Sequence, residues 1–139
     1  MRVLVDTSVW ADFFNGFDSA EQRALERLIA GEDEICTCGV VVAEVFQGLR
    51  RPAGRAEIEG LFRELVFLEA GGIDPYLRAA DVYRRLRGRG VTVRSTIDCL
   101  VAVIAAENGC DVLSRDRDLA AILGSGLVDA RACPVEASR

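Results

Sequence analysis

The chain has 139 residues, half of them hydrophobic, and a formal charge of −5; this is one domain's worth of sequence with enough apolar side chains for a core, which excludes intrinsic disorder. It holds no histidine and no lysine, since all 17 basic residues are arginine, so the commonest general base, Schiff-base chemistry and the lysine of a phosphate-binding loop are all missing. The acidic balance argues against a non-specific nucleic-acid coat, though not against a nucleic-acid enzyme whose bound metal would reverse the local sign.

Short apolar runs alternate with amphipathic segments, which predicts a parallel sheet covered by helices. Residues 2–6 read as a buried strand ending in Asp6. Ser8 to Asn15 reads as a short helix stopped by Gly16. Ser19 and Gln22 form a capping box for a helix over 20–30, ended by Gly31. A second strand is expected over 34–37, a helix over 40–50 broken near Pro52, a helix over 55–65, and a short strand over 66–68. Asp74-Pro75 signals a helix running to about Arg87, with Asp74 as cap. Ser95 caps a helix over 96–108; then come a strand over 111–114, a helix over 117–123 and a weak last strand over 127–132. The expectation is a single domain over 1–139, with a parallel sheet of four or five strands.

No apolar stretch reaches the roughly 18 residues of a membrane span, and no signal-peptide pattern opens the chain, so a cytoplasmic protein is expected. Cys36, Cys38, Cys99, Cys110 and Cys133 form neither a disulfide framework nor a zinc motif, and read as buried reduced thiols. The arginine clusters (Arg50, Arg51, Arg55; Arg84, Arg85, Arg87, Arg89, Arg94) could hold phosphates bidentately or form a salt-bridged surface. Trp10, Phe13, Phe14 and Phe17 follow helical spacing and suit either core packing or the lining of a groove.

The acids carry the chemistry. In open α/β sheets ligands bind beyond the carboxyl ends of the strands, where Asp6 and Asp116 fall. Asp6 could equally be a turn or cap residue. Glu44 shares a helix face with Val40, Val41 and Gly48, a face expected to point inward, unless Glu44 is simply exposed. Asp98 fits a Ser95-x-x-Asp98 capping box, yet it opens a helix that is apolar nearly all round, so its surroundings should be covered. Of Asp116 and Asp118, the first is the better ligand candidate and the second the better cap. Two carboxylates ~4 Å apart repel by ~1 kcal/mol in water and ~4 kcal/mol near a protein surface. Arginine, protons or a divalent metal must relieve that repulsion, and a hard divalent cation is the most economical answer.

Val-Leu-Val-Asp6-Thr7-Ser8-Val-Trp, Val-Ala-Glu44-Val-Phe-Gln-Gly48-Leu, Thr-Ile-Asp98-Cys-Leu-Val-Ala and Asp-Val-Leu-Ser114-Arg-Asp116-Arg-Asp118-Leu, in that order, resemble the PIN-domain ribonucleases, above all the VapC-type toxins of bacterial toxin–antitoxin modules. The resemblance implies a Rossmann-like sheet and a Mg²⁺-dependent endoribonuclease, with Mn²⁺ able to substitute, that cleaves RNA with metal-activated water. By motif matching, Asp6, Glu44, Asp98 and Asp116 are the catalytic, metal-holding quartet, and Thr7, Ser114 and Asp118 lend support behind it. It further implies a cognate antitoxin lying in a groove, and a homodimer or a toxin–antitoxin hetero-oligomer. Leu119 stands where many relatives carry an aromatic residue. The alternatives are a housekeeping RNA-processing nuclease of the same family, a Mg²⁺-dependent phosphoacceptor or phosphatase domain, and a non-catalytic binding module. The phosphoacceptor reading normally needs a lysine, and the phosphatase pattern wants an aspartate where Ser8 stands.

Overall fold

The computed structural model describes residues 1–49 and 53–135. Arg50, Arg51 and the expected break near Pro52 lie outside the described residues. Four strands, β1 (Arg2–Val5), β2 (Glu34–Cys38), β3 (Val66–Leu68) and β4 (Asp111–Leu113), pair in parallel in the order β3-β2-β1-β4. Val3, Leu4 and Val5 are fully buried, as suits a central strand covered on both faces. The helices are α1 (Thr7–Asn15), α2 (Ala20–Ala30), α3 (Gly39–Gln47), α4 (Arg55–Glu64), α5 (Asp74–Gly88), α6 (Thr96–Glu107) and α7 (Arg117–Gly124).

The topology places the site. From β1 the sheet grows one way through β2 to β3, and then β4 returns to the other side of β1. The order reverses between β1 and β4, the switch point beside which open α/β sheets bind ligands. The Asp6 N–H donates to Leu113 O at 2.9 Å, which fixes these two strand ends side by side. Helix α6 packs against β4, α5 and α7, and its residues from Cys99 to Ala105 are all buried, matching its apolar sequence. Trp10 is fully buried and stacks on Phe14, with Phe62 tilted 4.8 Å away. Core packing therefore explains the front of the aromatic series, whereas Phe17 stays exposed under the Arg115 guanidinium.

Three expectations need correction. Residues 127–132 form no strand: Ala132 makes only an isolated bridge to Val112, because Gly126 at φ +78° and a run of bends leave too little extended chain to pair. Helix α3 stops at Gln47 rather than reaching residue 50. In α5 the cap is Ile73, and Asp74 is already helical. All five cysteines are buried and free. Burial pushes the Cys99 thiol up to about 11 and Cys110 to about 12, so neither is a nucleophile near neutrality.

Candidate active site

Asp6 is 6% exposed and terminates β1. It is the N-cap of α1, and every bond it accepts from described side chains and the α1 backbone goes to Oδ2: Ser8 N–H at 3.4 Å, Ser8 Oγ at 2.9 Å and Ser114 Oγ at 3.0 Å. The two hydroxyls are themselves held, since Arg115 N–H donates to Ser8 Oγ and Asp116 N–H donates to Ser114 Oγ, both at 3.0 Å. Oδ2 is thus clamped between α1 and the segment after β4, leaving Oδ1 as the oxygen for a ligand.

The cap expected at Asp118 belongs to its neighbour, and both acids face the cluster. Asp116, not Asp118, caps α7: its Oδ1 accepts from Asp118 N–H at 2.7 Å and Leu119 N–H at 3.2 Å. Asp118 instead turns toward the cluster, and its Oδ2 accepts from Arg94 N–H at 3.0 Å and Arg94 Nε at 2.8 Å. The local reason is helix geometry: the residue before the first helical position can cap, whereas one at the second position already lies within the first turn. Capping uses one oxygen of Asp116 and leaves Oδ2 for other partners.

Asp98 is not spent on its cap either. Ser95 Oγ accepts from Ile97 N–H at 3.0 Å rather than from Asp98. The start of α6 is less covered than its composition suggested, with Ile97 exposed and Asp98 half-buried. One oxygen each of Asp98, Asp116 and Asp118 lies within 4.8 Å of the others. Burial pushes the Asp98 carboxyl from 3.8 up to about 6, helped by Asp116, Asp6, Asp118 and Glu44 in that order. The field at Asp98 therefore contains every acid singled out from the sequence.

Glu44 departs from its expected burial. The inward face of α3 is Val41 and Val45, and Glu44 is exposed on its flank. It reaches the site through Thr7, whose Oγ1 donates to Glu44 Oε1 at 3.1 Å. Thr7 and Glu44 also edge a cleft of about 550 Å³ that continues over Phe14, Val45, Leu49 and Ile58. The structure thus brings Asp98, Asp116 and Asp118 into one tight trio, sets Asp6 one hydroxyl away from it, and leaves Glu44 at the rim.

Sequence reasoning passed over two groups. Arg94 was singled out only as one of several arginines, yet it binds both Asp116 and Asp118 and holds the Asp118 carboxyl below its ordinary range. Asp12, 5% exposed, is ion-paired with Arg115, whose Nε lies 2.7 Å from Oδ2 and whose Nη2 donates to Oδ1 at 2.9 Å. An acid at position 12 among Val9, Trp10 and Phe13 was the available signal for a buried pair.

The donor set suits a hard divalent cation: carboxylate oxygens only, with no sulfur or imidazole among them. With these oxygens all within 4.8 Å of one another, the trio is on the scale of ligands around one small divalent ion, whose opposite ligands stand ~4.2 Å apart at ~2.1 Å from the metal.

Comparison with known proteins identifies the family. The PIN domain model matches residues 3–123. The chain is 32% identical over 117 residues, 84% of its length, to the VapC ribonuclease Mb1587 of Mycobacterium bovis and to Ribonuclease VapC11 of Mycobacterium tuberculosis H37Rv, covering 87% of each. The fold superposes on VapBC-1 from nontypeable Haemophilus influenzae with a TM-score of 0.69 at 14% identity, over 96% of this chain and 97% of that one. The chain belongs to the PIN domain family and groups within it with the VapC ribonucleases.

Proposed function

We propose that this protein is a Mg²⁺- or Mn²⁺-dependent endoribonuclease, the toxin of a toxin–antitoxin pair, with Asp6, Glu44, Asp98 and Asp116 as its acidic site and Asp118 as a further ligand. The observation that carries this reading is the trio of Asp98, Asp116 and Asp118 at the starts of α6 and α7, with Asp6 beside it at the end of β1, where the strand order reverses; burial first, and then the charges of Asp116, Asp6, Asp118 and Glu44, lift Asp98 to about 6. So much like charge in one place costs stability unless a cation repays it.

Each residue has a definable part. Ser8 and Ser114 hold Asp6 through Oδ2, which leaves Oδ1 for a ligand. Capping of α7 fixes Asp116 in the same way. Thr7 ties Glu44 to the end of β1 across the mouth of the cleft. A bound divalent ion would supply Lewis-acid activation of water and neutralise charge developing on the phosphate oxygens. Water then adds to phosphorus as the bond to O3′ breaks; the electron pair leaves with O3′, which takes a proton. The products are a 5′-phosphate and a 3′-hydroxyl, and the RNA 2′-hydroxyl is not needed as nucleophile. The cleft over Phe14, Leu49 and Ile58 is apolar where it leaves the acids, a combination that suits an amphipathic antitoxin segment carrying a basic side chain toward Glu44.

The test is end-sequencing of cellular RNA after expression of the wild type and of Asp6→Asn. Asparagine is also a good helix cap, so the variant keeps its fold. The expected result is new 5′-phosphate ends with the wild type alone. Undiminished cleavage by a folded Asp6→Asn protein, or ends bearing 2′,3′-cyclic phosphate, would overturn the assignment.

A further inference from the structure

Arg94 sits just before the α6 cap Ser95 and just after the buried Val93. Its backbone N–H and its Nε both donate to Asp118 Oδ2, at 3.0 and 2.8 Å, and its Nη2 donates to Asp116 Oδ2 at 3.0 Å. One guanidinium therefore spans the two carboxylates that face Asp98. The atoms matter as much as the residues. Asp116 Oδ1 is committed to capping α7, so Oδ2, the oxygen Arg94 holds, is the one left for a cation. Arginine cannot release its charge by losing a proton. It can leave only by swinging away, and its side chain is 77% exposed, so nothing packs over it to prevent this.

We infer that Arg94 is a resident counter-cation of the acidic site, which a divalent metal must displace from Asp116 and Asp118 in order to bind. The inference rests on the metal-site reading above. Metal binding on this account is an exchange of one positive group for another, and its affinity is set lower than the carboxylates alone would give. The backbone N–H bond to Asp118 survives the exchange, because Val93 anchors the main chain in the core. Asp118 thus keeps its orientation while the guanidinium departs.

The experiment is calorimetric titration of Mn²⁺ into EDTA-stripped wild type, Arg94→Gln, Arg94→Lys and Asp98→Asn, with unfolding temperatures measured with and without the ion. Exposed ion pairs are individually weak, so Arg94→Gln should bind Mn²⁺ about three- to tenfold more tightly than wild type. Arg94→Lys, which keeps the charge and loses the fork, should fall between them. Metal-free Arg94→Gln should melt lower than wild type and gain more from Mn²⁺. Equal or weaker Mn²⁺ affinity in folded Arg94→Gln overturns the exchange, because Arg94 would then only orient the acids. Failure of both wild type and Arg94→Gln to bind Mn²⁺ removes the metal site itself, as does Asp98→Asn binding as well as wild type.

Discussion

Replacing Asp98 by asparagine should make the metal-free protein more stable while abolishing its metal-dependent activity. The Asp98 carboxyl rises from 3.8 to about 6 on folding, first because it is buried and then because Asp116, Asp6, Asp118 and Glu44 repel its charge. A rise of that size corresponds to ~3 kcal/mol at ~1.36 kcal/mol per tenfold change. The carboxylate still touches solvent, so about 1–2 kcal/mol is the realistic cost of ionising it in the folded state. The sign follows from proton counting. Between 3.8 and about 6 the folded protein holds a proton at Asp98 that the unfolded chain has lost, so stability falls as pH rises through that window and then levels off. At pH near 7 the wild type bears the full penalty and Asp98→Asn bears none. In a chain of this length 1 kcal/mol is worth about 3–5 °C, so Asp98→Asn should melt about 3–10 °C higher in EDTA, and the gap should shrink as pH is lowered toward about 4. Thermal unfolding followed by circular dichroism at several pH values reads this directly. A variant no more stable than wild type near neutrality, or a gap that widens in acid, would refute the account of Asp98 as a half-buried member of a repelling cluster.

Ser114→Ala removes the hydroxyl that donates to Asp6 Oδ2 and accepts from Asp116 N–H; it should cost about 1–3 kcal/mol in urea unfolding and slow cleavage mainly through kcat, since the acids remain but one is no longer fixed. A kcat equal to wild type would show that Asp6 is held without it. Arg115→Ala leaves Asp12, 5% exposed, with only the Ser19 hydroxyl as a side-chain partner among the described residues. It should destabilise by about 2 kcal/mol, more than removal of the exposed Arg55–Glu59 pair, and a loss below about 0.5 kcal/mol would mean that water replaces the guanidinium freely.

Local signals explain how much of the site was readable. The rims were visible because an acid after Val3-Leu4-Val5, and another after Val112-Leu113-Ser114, must sit at the carboxyl end of a parallel strand. The start of α2 was visible because Ser19 finds its cap partner three residues on, although Gln22 turns its own side chain to Glu26 instead of closing the box. Glu44 was misread because nearly every α3 neighbour is apolar, so the helix period gave no clean inward face. The choice between Asp116 and Asp118 depended on a helix boundary, which composition locates only to within a residue or two.

Sequence by itself determined the alternation of buried strands and helices, the acids at the ends of β1 and β4, and the need for positive charge among them. Those features rest on side-chain period and on contacts a few residues apart, which the chain order already contains. Tertiary structure alone decided that Asp118 joins Asp98 and Asp116, that Ser8 and Ser114 share one oxygen of Asp6, and that Arg94 spans two of the acids. Ser114 is 108 residues from Asp6, and Arg94 is 22 and 24 from Asp116 and Asp118. At such separations a meeting follows only from how the sheet closes, and no local pattern specifies it.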